Sequence, residues 1–148
     1  MELKLISHRG NIAGPNPKKE NHPNYIEEAL RQGYDVEVDV WYTDKLMFGH
    51  DFPQYEVDEY LFFITWRNKL WVHCKNFEAV NYLKKQHSLV NYFWHETDTI
   101  TLTSKNYLWA YPGNQPIKNS IAVMPELYND DLSQCVGICS DYIQNYNK

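Results

Sequence analysis

Two carboxylates stand two positions apart, Glu37 and Asp39, in the run YDVEVDVW at 34–41. Side chains on a strand alternate faces. Val36, Val38 and Val40 therefore point one way, and Asp35, Glu37, Asp39 and Trp41 the other. Two like charges this close repel unless a cation lies between them, and a hard divalent ion suits paired carboxylates. An amphipathic strand with a wet acidic face gives the same pattern. His50 and Asp51 follow in FGHD at 48–51, after a glycine that permits a tight turn. Imidazole both takes and gives protons near neutrality. Near the start, ISHRGN at 6–11 sets His8 and Arg9 at the end of an apolar run. The guanidinium of Arg9 offers a fork that matches phosphate, or a surface ion pair. Glu20 and Asn21 follow a polar loop, and Asn21 also suits a helix cap.

These residues need strands to carry them. LKLIS at 3–7 reads as the first strand and residues 34–42 as the second. Between them Asn24 caps a helix from Tyr25 to Gln32, with Ile26, Ala29 and Leu30 on one face and Gly33 at its end. A short strand is predicted at 45–49, a helix at 57–66, and a third strand at KLWVHC, 69–74. Asn76 caps a second amphipathic helix reaching Gln86, and VNYFWH at 90–95 is the fourth strand. Residues 101–111 read as strand, polar turn, strand; SIAVMP at 120–125 and VGICSDY at 136–142 are the last strands, around a short helix near 126–134. Early strands alternating with helices imply right-handed βαβ units and a parallel sheet.

The chain of 148 residues suffices for one domain with a real core. A formal charge of −5 with 14 Lys and Arg argues against a general nucleic-acid binder. No apolar run approaches the roughly 20 residues that span a bilayer. The start, MELKLISHRG, carries His and Arg where a signal peptide would be apolar, which points to the cytoplasm. Cys74, Cys135 and Cys139 include no CxxC pair, so reduced, packed thiols are expected. A Cys/His zinc site through Cys135 and Cys139 is the alternative.

Taken in order, His8-Arg9-Gly10, Glu20-Asn21, Glu37-x-Asp39 and His50-Asp51 form a specific series. It resembles the glycerophosphodiester phosphodiesterase family, whose pattern is HR, EN, ExD and HD in that order. The resemblance covers residues 5–52, resumes at KLWVHCKN and VGICSDY, and is faint from 77 to 135. It implies an α/β fold over the whole chain: a compact TIM-type (β/α) barrel, several helices shortened or missing, with the site at its C-terminal mouth. It further implies that Glu37 and Asp39 hold a divalent ion (Mg²⁺, Mn²⁺ or Ca²⁺). His8 and His50 would then be general acid and base, Arg9 would contact the phosphate, and Glu20 would line the site.

The sequence departs from that family in two places. Where the family has a third carboxylate ligand on strand three, this chain has His73, with Lys75 two residues on. Imidazole can still bind the ion, but it makes Ca²⁺ less favoured than Mn²⁺, or Mg²⁺ with extra waters. Alternatively Glu96 completes the shell, since strand four ends FWHETD and either His95 or Glu96 can reach the mouth. Lys75 shares the face of His73 and would balance phosphate charge. The second departure is length, because a TIM barrel takes about 250 residues. One wall is then bare or covered by loops. Trp94, Trp109, Tyr92, Tyr107 and Tyr111 crowd that region, which favours either a homodimer through it or a small monomeric core. The expected activity is metal-dependent cleavage of a small glycerophosphodiester-type substrate. A phospholipase D-like lyase that forms a cyclic phosphate and a non-catalytic phosphodiester-binding module are the alternatives.

Overall fold

The computed structural model describes residues 2–147. Its strands are β1 Lys4–His8, β2 Asp35–Tyr42, β3 Leu46–Phe48, β4 Tyr55–Glu56, β5 Leu70–Cys74, β6 Asn91–Trp94, β7 Ile100–Leu102, β8 Leu108–Ala110, β9 Ser120–Val123 and β10 Gly137–Ser140. The two α-helices are α1 Pro23–Arg31 and α2 Phe77–Gln86. All ten strands join one mixed sheet. Its parallel part runs β8-β9-β10-β1-β2-β5-β6, while β3, β4 and β7 pair antiparallel.

The sheet curls into a half-barrel, which corrects the expectation of a TIM-type barrel. Among the described residues, strand–helix alternation holds only for β1-α1-β2 and β5-α2-β6. Between β4 and β5 the predicted helix at 57–66 shrinks to a π-helical turn, Leu61–Thr65. The predicted helix at 126–134 is a single 3₁₀ turn, Pro125–Leu127. Residues 128–134, YNDDLSQ, hold an asparagine, two aspartates and a serine, which compete with a longer helix there. Between β8 and β9, residues 112–119, PGNQPIKN, contain two prolines, a glycine and two asparagines, which favour turns over a crossover helix. Across the seam between β6 and β7 there is no strand ladder. Ser104 N donates to the Tyr92 carbonyl at 2.8 Å, and Thr101 Oγ1 to the Trp94 carbonyl at 2.9 Å.

Helix α1 begins two residues earlier than predicted. Its cap is His22, whose Nδ1 accepts from the Asn24 backbone N–H, and not Asn24 itself. Asn76 caps α2 as predicted, accepting from Ala79 N. The outer core lies between these helices, the π-helical turn and the sheet: Ile26, Leu30, Val36, Val38, Val40, Phe62, Phe63, Val72 and Leu83 are buried there. A second core fills the concave side: Ile6, Trp71, Phe93, Trp109, Ile121, Val123 and Cys139. Trp109 packs on Phe93 and Trp71 at centroid distances of 4.9 and 5.7 Å. Trp109 is thus a buried plug and Tyr107 and Tyr111 pack beside it; of the wall expected to seek a partner, Trp94 stays exposed, with Ile100 and Leu102 of β7.

Candidate active site

The plug on the concave side sits below the C-terminal strand ends, and the cavity above it takes its lining from them. The cavity, about 470 Å³, is lined by His8 at the end of β1, Glu37 on β2, His73 on β5, Lys75, Phe93 on β6, His95, Glu96 and Tyr111, together with Arg9 and His50 from loops. Seven of the residues singled out from sequence meet in this way: His8, Arg9, Glu37, Asp39, His50, His73 and Lys75, with Asp39 just beneath the lining. Register explains it. His8 pairs with Glu37 across β1 and β2, and Asp39 with His73 across β2 and β5.

Glu37 and Asp39 are 3% and 0% exposed. Asp39 is held on one oxygen. Asn21 Nδ2 donates to its Oδ2 at 2.8 Å, Arg9 Nε lies 3.0 Å from the same atom, and Asn21 Oδ1 accepts from the Asp39 backbone N–H. Asn21 reaches this position with φ 64°, in the left-handed region that asparagine tolerates. Asn21 is therefore a strand clamp, not a helix cap. Asp35, on the same face, is drawn off toward the other end of the strand by Trp71 Nε1 at 3.0 Å and Lys69 at 3.5 Å.

Burial opposes ionisation of Asp39, but His73, Arg9 and Asn21 outweigh it and hold the carboxyl below its usual range. Burial and the neighbouring Asp39 push Glu37 the other way, up to about 7. A pair of carboxylates with opposite shifts is what an unshielded double negative charge produces.

His8 is fixed by Asp141, which accepts its Nδ1 hydrogen at 2.7 Å, and its Nε2 lies 3.6 Å from Glu37 Oε2. Burial works against charge on His8, yet the Asp141 hydrogen bond and Glu37 raise its pKa above the ordinary value. Asn11, fully buried, donates through Nδ2 to both Asp141 and Glu20 and accepts from Tyr25 OH. Gly10, φ 92°, leaves room for this arrangement, since a Cβ there would stand 2.5 Å from the Tyr25 ring. Asp141 and Asn11 were not singled out from sequence. The available signal was an aspartate closing the last strand, in VGICSDY.

His50 is more open. Asp51 accepts from its Nδ1 at 2.8 Å, and burial with the nearby Arg9 lowers its pKa. Its loop is held by Trp41, whose Nε1 donates to the Gly49 carbonyl at 2.7 Å. Glu20 lies outside the main cavity, in an adjoining cleft with Asn21, Asp51 and Gln54; Arg9 and His50 border both spaces. Glu96 borders the cavity but does not join the carboxylate pair.

Comparison with protein-family models, with curated proteins and with solved structures gives no match. The site must therefore be judged by its own chemistry.

Ligand atoms of Glu37, Asp39 and His73 all lie within 4.8 Å of one another. Glu37 Oε2 and Asp39 Oδ1 are buried oxygens without a hydrogen-bond partner. Buried polar atoms are nearly always satisfied, so unpartnered oxygens on two neighbouring carboxylates fit a divalent cation. A second convergence, His8, Glu20 and Asp141, does not fit one, because the Asn11 amide already bridges both carboxylates. Among the described residues neither group contains a cysteine, and the three thiols are free, so the zinc alternative has no support. No helix in the structure is long and apolar enough to cross a membrane.

Proposed function

We propose that the protein is a metal-dependent phosphodiesterase, a short relative of the glycerophosphodiester phosphodiesterases acting on a small phosphodiester. The observation that carries this reading is one cavity with Glu37 on its wall and Asp39 just beneath, each with an unpartnered oxygen, together with a guanidinium and two independently anchored imidazoles.

Glu37, Asp39 and His73 would hold the ion, which when bound supplies Lewis-acid polarisation of the phosphoryl group. The remaining work falls to the chain. Arg9 and Lys75 border the space that the phosphate would occupy and counter charge growing on its non-bridging oxygens. Asp141 fixes the ring of His8 with its Nδ1 hydrogen engaged, leaving Nε2 turned to the site. Asp51 does the same for His50. One imidazole takes the proton of the attacking hydroxyl, and the other gives a proton to the departing alkoxide.

The test is phosphorus NMR on a glycerophosphodiester with Mg²⁺, Mn²⁺ or Ca²⁺, and with EDTA. The expected result is a new phosphomonoester signal that EDTA abolishes. A persistent five-membered cyclic phosphate would make the protein a lyase. An unchanged substrate that still binds would leave a binding module.

A further inference from the structure

Asp39 spends one oxygen on Asn21 and Arg9, and the other, Oδ1, faces His73 Nδ1 at 3.0 Å. The approach is too oblique for a good hydrogen bond and Oδ1 has no other partner, although His73 still helps hold Asp39 ionised. His73 Nε2 lies 3.4 Å from the His95 carbonyl, which can only accept, so Nε2 carries the ring hydrogen. In the neutral ring Nδ1 then offers its lone pair on the side of the carboxylates, where a cation would take it up. The ring cannot swing away, because it is stacked on Phe93 at 5.3 Å with an interplanar angle of 8°.

Glu37, Asp39 and His73 thus each offer a ligand atom, all within 4.8 Å of one another, and Glu37 Oε2 and Asp39 Oδ1 lack a hydrogen-bond partner. Resting on the phosphodiesterase reading, we propose that His73 Nδ1 is the third protein ligand and that the site selects a nitrogen-accepting first-row ion, Mn²⁺ or Zn²⁺, over Ca²⁺. Ca²⁺ takes six to eight oxygens and gains little from imidazole, whereas Mn²⁺ and Zn²⁺ accept mixed nitrogen and oxygen donors. A metal-bound imidazole normally donates its other N–H to a carbonyl or carboxylate, and the His95 carbonyl is so placed.

The experiment uses the metal-free full chain. Calorimetric titration with Mn²⁺, Zn²⁺, Mg²⁺ and Ca²⁺ is run on wild type and His73→Glu, and pulsed EPR on the Mn²⁺ form of each. The expected result is Mn²⁺ bound about tenfold or more tighter than Ca²⁺ in wild type, with that ratio lost in His73→Glu. Imidazole nitrogen coupling to Mn²⁺ should be present in wild type and absent in the variant. His73→Gln, which keeps the length of a polar side chain, should also lose the coupling. Equal or tighter Ca²⁺ binding in wild type, or Mn²⁺ bound without nitrogen coupling, overturns the assignment while leaving metal-dependent cleavage intact. Failure of wild type to bind any of the four ions removes the metal site and, with it, the phosphodiesterase reading.

Discussion

His8 Nδ1 and Asp141 Oδ1, 133 positions apart in the chain, meet at 2.7 Å across the β1–β10 junction. The pair sets both the tautomer and the charge of the imidazole. Burial disfavours the charged ring, but Asp141 and Glu37 raise its pKa above 6.5. In metal-free protein, NMR titration should therefore place the His8 pKa above 6.5, and Asp141→Asn should bring it down. A raised folded-state pKa contributes stability fully below the unfolded value, and loses it as pH rises through the folded one. The thermal midpoint should accordingly decline faster above pH 6.5 in wild type than in Asp141→Asn. Equal slopes would show that the contact carries no weight.

Replacing either histidine tests the proposed proton traffic. His8→Ala and His50→Ala should each lower turnover by about a hundredfold or more, with unchanged circular dichroism. His50→Ala is the cleaner variant, since that ring is nearly half exposed and its anchor Asp51 is exposed as well. Near-normal turnover in either would falsify the paired acid–base assignment.

Asn21 holds the backbone and carboxylate of Asp39 together. Asn21→Ala leaves a buried N–H and a buried oxygen with fewer partners, in a left-handed conformation that alanine resists. A loss of about 1–3 kcal/mol in chemical denaturation is expected. Metal affinity should fall by about ten- to a hundredfold, as for other residues that orient a ligand from behind. An affinity at the wild-type level would mean that Asp39 is positioned without it.

What the sequence made legible follows from range. Glu37, Asp39 and His73 share one face through the two-residue period of their strands, and β2 and β5 are adjacent, so local pattern placed them together. His50 was legible because Gly49 and Trp41 close its turn within eleven residues of Asp39. The parallel core strands were legible from their apolar runs. Asp141 and Asn11 were not, because their meaning lies in contacts with His8 and Glu20 that only the folded sheet creates. Asn21 stayed ambiguous between a cap and a site residue, since cap and strand clamp use the same amide. The closed barrel failed for a related reason. Its warrant lay in residues 5–52, and the stretch after β6 lacks the helical periodicity a barrel wall requires.

Glu37 offers the test least dependent on any assay of turnover. Its carboxyl is 3% exposed, one oxygen has no partner, and Asp39 lies beside it. Burial and that neighbour raise its pKa from 4.5 to about 7. Here the folded state holds the proton more tightly than the unfolded chain. The stabilisation is complete below about pH 4.5 and disappears as pH rises toward 7. Metal-free protein should thus lose stability across that window, and Glu37→Gln, which carries no charge, should flatten the loss. The same variant should be more stable than wild type at pH 8 without metal and should no longer be stabilised by Mn²⁺. A cation supplies the missing partner, so added Mn²⁺ should raise the wild-type midpoint most at pH 8, where the repulsion is largest. Differential scanning calorimetry at three pH values, with and without the ion, reads all of these outcomes. Glu37→Gln less stable than wild type at pH 8 would show that the buried carboxylate is already satisfied and that no ion is needed there.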